Sequence, residues 1–474
     1  MRGHCCYVSR KTLRSVAALV ITAILFINVI AFNRSLKYET VHPDYEISRR
    51  WTDNKKLFPV AVPAAASDHS VITDTVVRTA PAETIRPTKM LVIVNNVPIS
   101  MPYSDLLNVT STNLTTLKTA IRTINEKQFI FNKHMLDSKF ANNSDSVAIL
   151  VQVHNRAAYL RHLVRSLARA RGIENTLVIF SHDYYSPELN AITESIGAFP
   201  VLQIFYPKSM QLYPRVFPGE DPNDCPRNLP RKKAAIKRCN NAGYPDRYGH
   251  YREAKYTQTK HHWFWKMNRV FGNLHIMKDF QGHLLLLEED HFVAEDFLHV
   301  LNLLKNHRDS TCPDCNILTI GNYDKRPTFS PFSGKLEVSL WVSAKHNMGM
   351  ALNSTTWNKI KRCSNEFCKF DDYNWDWTLQ YIGMKCIPGR LKVMALKSPR
   401  VFHIGECGIH HKGKVCLPDQ KAAQLDDLLH KNTNFLYPNY LKTLGWSKQQ
   451  ARIPKPNGGW GDIRDHQLCS SFIQ

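Results

Sequence analysis

No repeat runs through this 474-residue sequence, and it holds only one long apolar run. A fibrous protein and a multi-pass membrane protein are both excluded. Acid is scarce. Asp and Glu number 40 against 62 Lys and Arg, a formal net charge of +22. A basic surface suits phosphate-bearing ligands, nucleic acid and membranes alike, so charge alone selects no partner. Neither GxGxxG nor GxxxxGKS/T occurs, which disfavours a dinucleotide enzyme and a P-loop NTPase. The pair Cys312-Pro-Asp-Cys315 has no second CxxC to complete a zinc site. What is present is core-forming material. With 43% hydrophobic and 22% charged residues the chain is not disordered overall, and its length suits one large domain with appendages.

The apolar run covers residues 16–32 and is broken only by Thr22 and Asn28. Arg10, Lys11 and Arg14 precede it; Arg34 and Lys37 follow. It is at the short end for a spanning helix. No convincing small-x-small cleavage site follows, and the basic residues on its N-terminal side keep the tail cytosolic. The expectation is a single-pass signal anchor: cytosolic tail at 1–14, transmembrane helix at 15–32, luminal stem at 33–115 and catalytic domain at 116–474. Within the stem, 58–90 is rich in Pro, Ala, Thr and Val and reads as a spacer, followed by a strand-like stretch at 91–97.

Two of the twelve cysteines, Cys5 and Cys6, precede the anchor. The other ten are Cys225, Cys239, Cys312, Cys315, Cys363, Cys368, Cys386, Cys407, Cys416 and Cys469. An even number in an oxidising lumen reads as five disulfides. Cys312 and Cys315 have zinc or redox spacing, but they precede an apolar strand instead of following one, which favours a short structural bridge. Sequons stand at Asn108, Asn113, Asn142 and Asn353.

Helical periodicity marks 114–137, through Leu117, Ile121, Ile124 and Phe129. From Ser146 the pattern alternates between strand and helix. Apolar runs at 147–153, 177–180 and 201–205 are separated by helix-like stretches at 159–170 and 188–196. This βαβαβ series predicts a parallel sheet covered on both faces, with ligands at the C-terminal strand ends. An aromatic-rich helix is expected at 261–271, and a four-Leu strand, 284–287, runs into Glu288-Glu289-Asp290.

Those three acids are the most informative local feature. Adjacent carboxylates at a parallel strand end repel one another, and a hard divalent cation is their natural companion. Two further strands end in polar residues at the same edge: Gln152, Val153, His154, Asn155 and Arg156 after the first, Ser181-His182-Asp183 after the second. Consecutive Ser, His and Asp point in different directions and cannot be a hydrolase triad. Segment 370–377, FDDYNWDW, mixes acids with aromatics, as a sugar site with an Asp general base would. His403 is a candidate partner for Asp290, and His410 and His411 leave a zinc alternative open. The basic run 231–238 lies between Cys225 and Cys239 and reads as a solvated, disulfide-closed loop; a luminal address excludes nucleic acid as its partner.

The blocks QVHNR (152–156), LVIFSHD (177–183), QTKHHW (258–263), LLLLEEDH (284–291), KHNMGMAL (345–352), DDYNWDWTLQY (371–381), FHIGECGIHH (402–411) and NGGWGDIRDH (457–466) occur in that order. Over 146–474 the sequence closely resembles the N-acetylglucosaminyltransferase II family of the Golgi. The resemblance implies a GT-A fold, an α/β Rossmann-like nucleotide-sugar-binding sheet. It implies inverting transfer of GlcNAc from UDP-GlcNAc, in β1,2 linkage, to the α1,6-arm mannose of an N-glycan that already carries GlcNAc on its α1,3 arm. That step commits hybrid glycans to complex ones. By the same likeness Asp290 and His403 ligate Mn2+, and Asp376 is the catalytic base. Gln152, Val153, His154, Asn155, Arg156, Asp183, Gln258, Thr259, Lys260, His261 and His262 hold the donor. Asn347 and Trp375 hold the acceptor. The implied disulfides are Cys225–Cys239, Cys312–Cys315, Cys363–Cys386, Cys368–Cys469 and Cys407–Cys416. The family pattern is longer around Lys325-Arg326-Pro327, and Arg326 is matched there to a donor-contacting arginine. The partners implied are UDP-GlcNAc, N-glycans on glycoproteins and the Golgi membrane, with no nucleic acid; a homodimer is left open. The competing readings are a related GT-A transferase with another acceptor and a catalytically dead luminal glycan binder.

Overall fold

The computed structural model describes residues 90–94, 97–101, 103–110, 113–405, 417–447 and 451–473. They all fall in one of the chain's two compact units, Thr84–Gln474. The expected anchor, the tail, most of the stem and the Cys407–Cys416 pair lie outside the described residues. Among the described residues no helix is long and apolar enough to cross a membrane.

The strands are β1 (Met90–Val94), β2 (Val97–Met101), β3 (Ile130–Phe131), β4 (Val147–Val153), β5 (Leu177–His182), β6 (Val201–Phe205), β7 (His283–Glu288), β8 (His291–Val293), β9 (Ile317–Thr319), β10 (Lys335–Leu340), β11 (Met350–Leu352), β12 (Lys392–Leu396), β13 (Val401–His403) and β14 (Lys442–Trp446). The helices that matter most below are α1 (Leu114–Lys127), α2 (Ala157–Ala168), α3 (Pro187–Glu194), α4 (Ala254–Asn273), α5 (Phe297–Thr311), α6 (Trp375–Lys385) and α7 (Ile463–Ser470). Ten strands form one mixed sheet in the order β14-β10-β12-β9-β11-β7-β4-β5-β6-β3. Its centre, β7-β4-β5-β6, is parallel throughout. The βαβαβ series β4-α2-β5-α3-β6 is present as expected. The stretch expected as one strand at 91–97 is an antiparallel pair, β1 with β2.

Why these runs are strands follows from where their side chains go. In β4, Val147, Ile149, Val151 and Val153 enter one apolar cluster, and Ala148 and Leu150 enter another. The leucines of β7 split the same way: Leu285 and Leu287 to one side, Leu284 and Leu286 to the other. A strand buried on both faces has no use for alternation, which is why the sequence shows a continuous apolar run. Each such Leu or Val contributes about 1.5–3 kcal/mol when fully buried. Helices α2, α3 and α5 cover the first face and α4 and α6 the second, giving three layers.

Packed structure begins upstream of residue 116. Leu106 and Leu107 are buried with Ile121, Ile124 and Phe205. Their carbonyls accept from Tyr185 Oη (2.5 Å) and Asn190 Nδ2 (2.7 Å). Four disulfides form with the pairing implied above: Cys225–Cys239, Cys312–Cys315, Cys363–Cys386 and Cys368–Cys469. The basic run is a short helix, Arg231–Lys237, exposed except for Ala234.

One buried ion pair bears directly on the site. Arg400 immediately precedes β13. Its Nε donates to both oxygens of Asp296 (2.7 and 2.8 Å), and its remaining nitrogens donate to Ser398 and to the Phe435 carbonyl. Both side chains are essentially inaccessible. This clamp sets the entry of β13, which pairs His403 opposite His291 of β8. Arg400→Met should cost about 3–5 kcal/mol, because it leaves the Asp296 charge buried and uncompensated. A urea-unfolding midpoint indistinguishable from that of the unaltered protein would refute the assignment.

Candidate functional site

The tails of β4, β5 and β7, three adjacent parallel strands, converge at one sheet edge. Glu289 N donates to the Gln152 carbonyl (2.9 Å) and Asp183 N to the Val153 carbonyl (3.1 Å), so hydrogen bonding continues past the regular ladder. The three acids after β7 divide their work. Glu289 is buried, and its carboxylate accepts from His154 N (2.8 Å) and Arg156 Nε (2.6 Å). It ties the β4 tail in place. Arg156 also reaches Asp290, with Nη1 2.8 Å from Oδ2.

Asp183 gathers two histidines. His154 Nδ1 lies 2.5 Å from Oδ1, and His262 Nδ1, from α4, lies 3.3 Å from Oδ2. His262 Nε2 in turn meets Ser181 Oγ at 2.8 Å. Ser181, His262 and Asp183 therefore have the order of a hydrolase triad, with the histidine supplied from elsewhere in the chain. Ser181 has no solvent-accessible surface, so its hydroxyl cannot meet a substrate, and the His262–Asp183 approach is a close contact instead of a hydrogen bond. Burial would raise the Asp183 pKa, but His154 and His262 outweigh it and hold the carboxyl well below the usual range.

Asp290 is buried. Its Oδ2 sits 2.8 Å from Arg156 Nη1 and 3.1 Å from His403 Nε2, while its Oδ1 has no hydrogen-bond partner among the described residues. Burial pushes this carboxyl up, yet His403 and Arg156 outweigh that and keep it ionised. An orphaned, buried, charged oxygen is expensive unless a cation completes it. The 3.1 Å between Asp290 and His403 is also that of two adjacent ligands on one octahedral ion with bonds of about 2.1 Å. Glu288, Asp290 and His291 likewise bring one ligand atom each within 4.8 Å of one another. His291 fits a metal poorly, because its Nδ1 accepts from Glu288 N (3.1 Å) and its proton must then sit on Nε2. His403, partly exposed, has its Nε2 free to exchange a proton for an ion. Gly405 is required here by space: a Cβ there would lie 2.0 Å from Asp290 Oδ2.

Asp376 stands in the first turn of α6. Its Oδ2 accepts from Ser343 Oγ (2.6 Å) and Asn347 Nδ2 (3.0 Å), and its Oδ1 from Trp377 N (3.0 Å). Beside it opens a cleft of about 690 Å³ whose lining includes Tyr248, Ser343, Trp377, Gln380 and Asn457. The other two acids of FDDYNWDW are structural. Asp371 accepts from Arg247 N and Trp460 N, and Asp372 from the amides of Asn374 and Asn457. The arrangement pairs a cation-capable carboxylate at a nucleotide-type sheet edge with a second carboxylate bonded to the cleft-lining Ser343, parts suited to group transfer between a phosphorylated donor and a hydroxyl.

The family described as N-acetylglucosaminyltransferase II (MGAT2) matches residues 118–469. The chain belongs to this family. A relative from Sus scrofa, alpha-1,6-mannosyl-glycoprotein 2-beta-N-acetylglucosaminyltransferase, is 48% identical over 326 residues, covering 69% of this chain and 73% of the relative. The Rattus norvegicus protein of that name is 49% identical over 329 residues, covering 69% and 74%. Among solved structures, S. aureus TarS 1-349 in complex with UDP-GlcNAc matches at 10% identity and a TM-score of 0.30, covering 61% of this chain and 72% of that one. A likeness that distant bears on no residue here.

Within this N-acetylglucosaminyltransferase II chain, the residues matched to donor binding fall into two sets. Gln152, His154, Arg156, Asp183 and His262 are interlinked at the sheet edge, with Lys266 Nζ donating to Gln152 Oε1 (2.7 Å) from beneath. Asn155 is exposed beside them. The Val153 side chain is in the core. The others on α4 are engaged elsewhere. Gln258 Oε1 accepts from Met210 N (2.6 Å), and the His261 ring lies against Trp460 with Nε2 at the Asp465 carbonyl (3.1 Å). Fully buried Lys260 donates to the carbonyls of Phe370 (3.1 Å) and Asp372 (2.8 Å). These two bonds pin the turn leading to Asp376. Thr259 is half-buried and Arg326 exposed, and neither side chain is in the network.

Trp375, expected to hold the acceptor, is 8% exposed and stacks on Trp263 with ring centroids 4.6 Å apart. Trp377, two positions on and on another helix face, lines the cleft instead. Ser343, Lys266 and Tyr323 were not picked out from the sequence. Lys266 within α4 and Ser343 at the start of the short helix Ser343–His346 look ordinary in sequence until partners 114 and 33 positions away come into contact.

Proposed function

We propose that this chain transfers GlcNAc from UDP-GlcNAc, with inversion, to the 2-hydroxyl of the α1,6-arm mannose of an N-glycan already bearing GlcNAc on its α1,3 arm. We place a GT-A catalytic domain in the Golgi lumen, behind a stem and a single-pass type II anchor at 15–32; the packing of Leu106 and Leu107 onto Ile121, Ile124 and Phe205 moves the start of that domain upstream of the expected residue 116. The observation that carries the reading is the joint presence, in a member of this family, of the Asp290–His403 pair at the strand ends and of Asp376, which is hydrogen-bonded to Ser343 and adjoins Trp377, two residues that line a cleft.

Asp290 and His403 would hold Mn2+, which when bound supplies positive charge to the diphosphate leaving group. Arg156, His154 and Asp183 would orient the donor at the sheet edge. Asp376 takes the proton from the mannose hydroxyl as that oxygen forms its bond to the anomeric carbon. The bond from that carbon to the phosphate oxygen breaks on the opposite face, and UDP leaves with its electron pair. One carboxylate suffices on this side, whereas a glycosidase needs a second carboxyl as acid. Ser343 and Asn347 occupy Asp376 Oδ2 and Trp377 N occupies one side of Oδ1, so the remaining Oδ1 lone pair is the one left to take the proton.

The test uses the full chain in detergent with its disulfides formed. Given UDP-GlcNAc, Mn2+ and the agalacto glycan with one GlcNAc on the α1,3 arm, mass spectrometry should show one added GlcNAc. Linkage analysis should place it β1,2 on the α1,6 arm, and EDTA should prevent its addition. Addition at another position would reassign the acceptor. UDP release with no acceptor consumption would count against transfer.

A further inference from the structure

Tyr323 enters none of the motifs read from the sequence. It stands four residues past β9, in a loop brought against residues 347–349 by a close approach: a Cβ on Gly321 would lie 2.7 Å from the Met348 carbonyl. Asn322 holds the loop, donating from Nδ2 to the Lys397 carbonyl (3.2 Å) and accepting from Asp324 N (3.0 Å). The Tyr323 ring is half exposed, and its hydroxyl donates to Asn347 Oδ1 at 2.7 Å. Asn347 Nδ2 donates to Asp376 Oδ2 at 3.0 Å.

The direction of this chain is forced from one end. An ionised carboxylate only accepts, so the Asn347 group facing Asp376 must be the NH2. Its carbonyl oxygen, also only an acceptor, then faces Tyr323, and Tyr323 must donate. Without that hydroxyl the amide is held by its bond to Asp376 alone, and Asn347 is free to swing away from that bond. Partial burial, together with the charges of Glu288, Asp376 and Asp290, raises the Tyr323 pKa above its ordinary value, so the phenol remains a donor.

We infer that Tyr323 is a positioning residue for proton transfer: it fixes the Asn347 amide so that Nδ2, and not Oδ1, meets Asp376. The inference rests on the reading of Asp376 as the base. Three single variants and one double variant separate the two. Asp376→Asn tests the reading alone. Tyr323→Phe keeps the half-exposed ring and should fold; its circular dichroism and thermal midpoint serve as the check. It should lower kcat roughly ten-fold, short of the 10²-fold that a displacement of ~1 Å can cost, with the affinity for UDP in Mn2+ unchanged. Asn347→Ala should lower kcat further. The double variant Tyr323→Phe/Asn347→Ala should be no slower than Asn347→Ala by itself, because the phenol acts through that amide. A structural role would not produce this non-additivity. The inference falls if Tyr323→Phe leaves kcat unchanged, if the two losses multiply, or if the loss appears in UDP affinity. It also falls, for the different reason that its base is misassigned, if Asp376→Asn keeps full turnover.

Discussion

Asp376→Asn should lower kcat by about 10²–10⁴-fold, the range a positioned general base supplies, while UDP-GlcNAc binds as before. The geometry makes the separation clean. Asp376 is bonded to Ser343, Asn347 and the Trp377 amide, and to none of the strand-end residues that would hold the donor. Asn is nearly isosteric and can keep accepting through one oxygen, so the turn held by Lys260 and the start of α6 should stay in place. What it cannot do is take a proton. Calorimetry with UDP and Mn2+, beside a turnover assay, reads both halves. Loss of donor binding in this variant would move Asp376 out of its role, and unimpaired turnover would end it.

The second large effect concerns the cation. Asp290→Ala should reduce Mn2+-dependent UDP affinity by more than roughly 10²-fold, above what even removing a group behind a ligand costs. Asp290 is the hub of this corner. Arg156, His403 and the close-packed Gly405 all address its Oδ2, and its Oδ1 is buried without a partner among the described residues. Arg156 would keep Glu289, so the β4 tail should remain in place and the fold should survive. The check is UDP titration in Mn2+ and in EDTA. Equal metal dependence in the variant would remove Asp290 from the site. His403→Ala should show a smaller loss, since His403 is partly exposed and water can substitute for it.

The parallel core of the fold was legible because burial on both faces leaves a local mark. The runs at 147–153 and 201–205 are strands at those very bounds, and the run at 177–180 extends only to His182. Helix α4 was less legible. Aromatic content points to a helix at 261–271, but the helix starts at Ala254, because its first turns bury Thr257, Gln258 and Lys260 against polar partners instead of apolar ones. Hydrophobic pattern does not register a buried lysine held by two carbonyls.

By itself the sequence determined the family, through eight ordered blocks, and the edge of the sheet at which acids, histidines and an arginine would collect. Those are properties of short segments, and short segments are read directly. Only the tertiary structure decided what each side chain does there. It separated Trp377, in the cleft, from Trp375, in the core; sent Lys260 to the turn before Asp376; brought His262 of α4 against Ser181 and Asp183; and oriented Asn347 through Tyr323. The physical reason is that a hydrogen bond depends on which donor stands within about 3 Å of which acceptor, and here the partners lie between 24 and 112 positions apart along the chain.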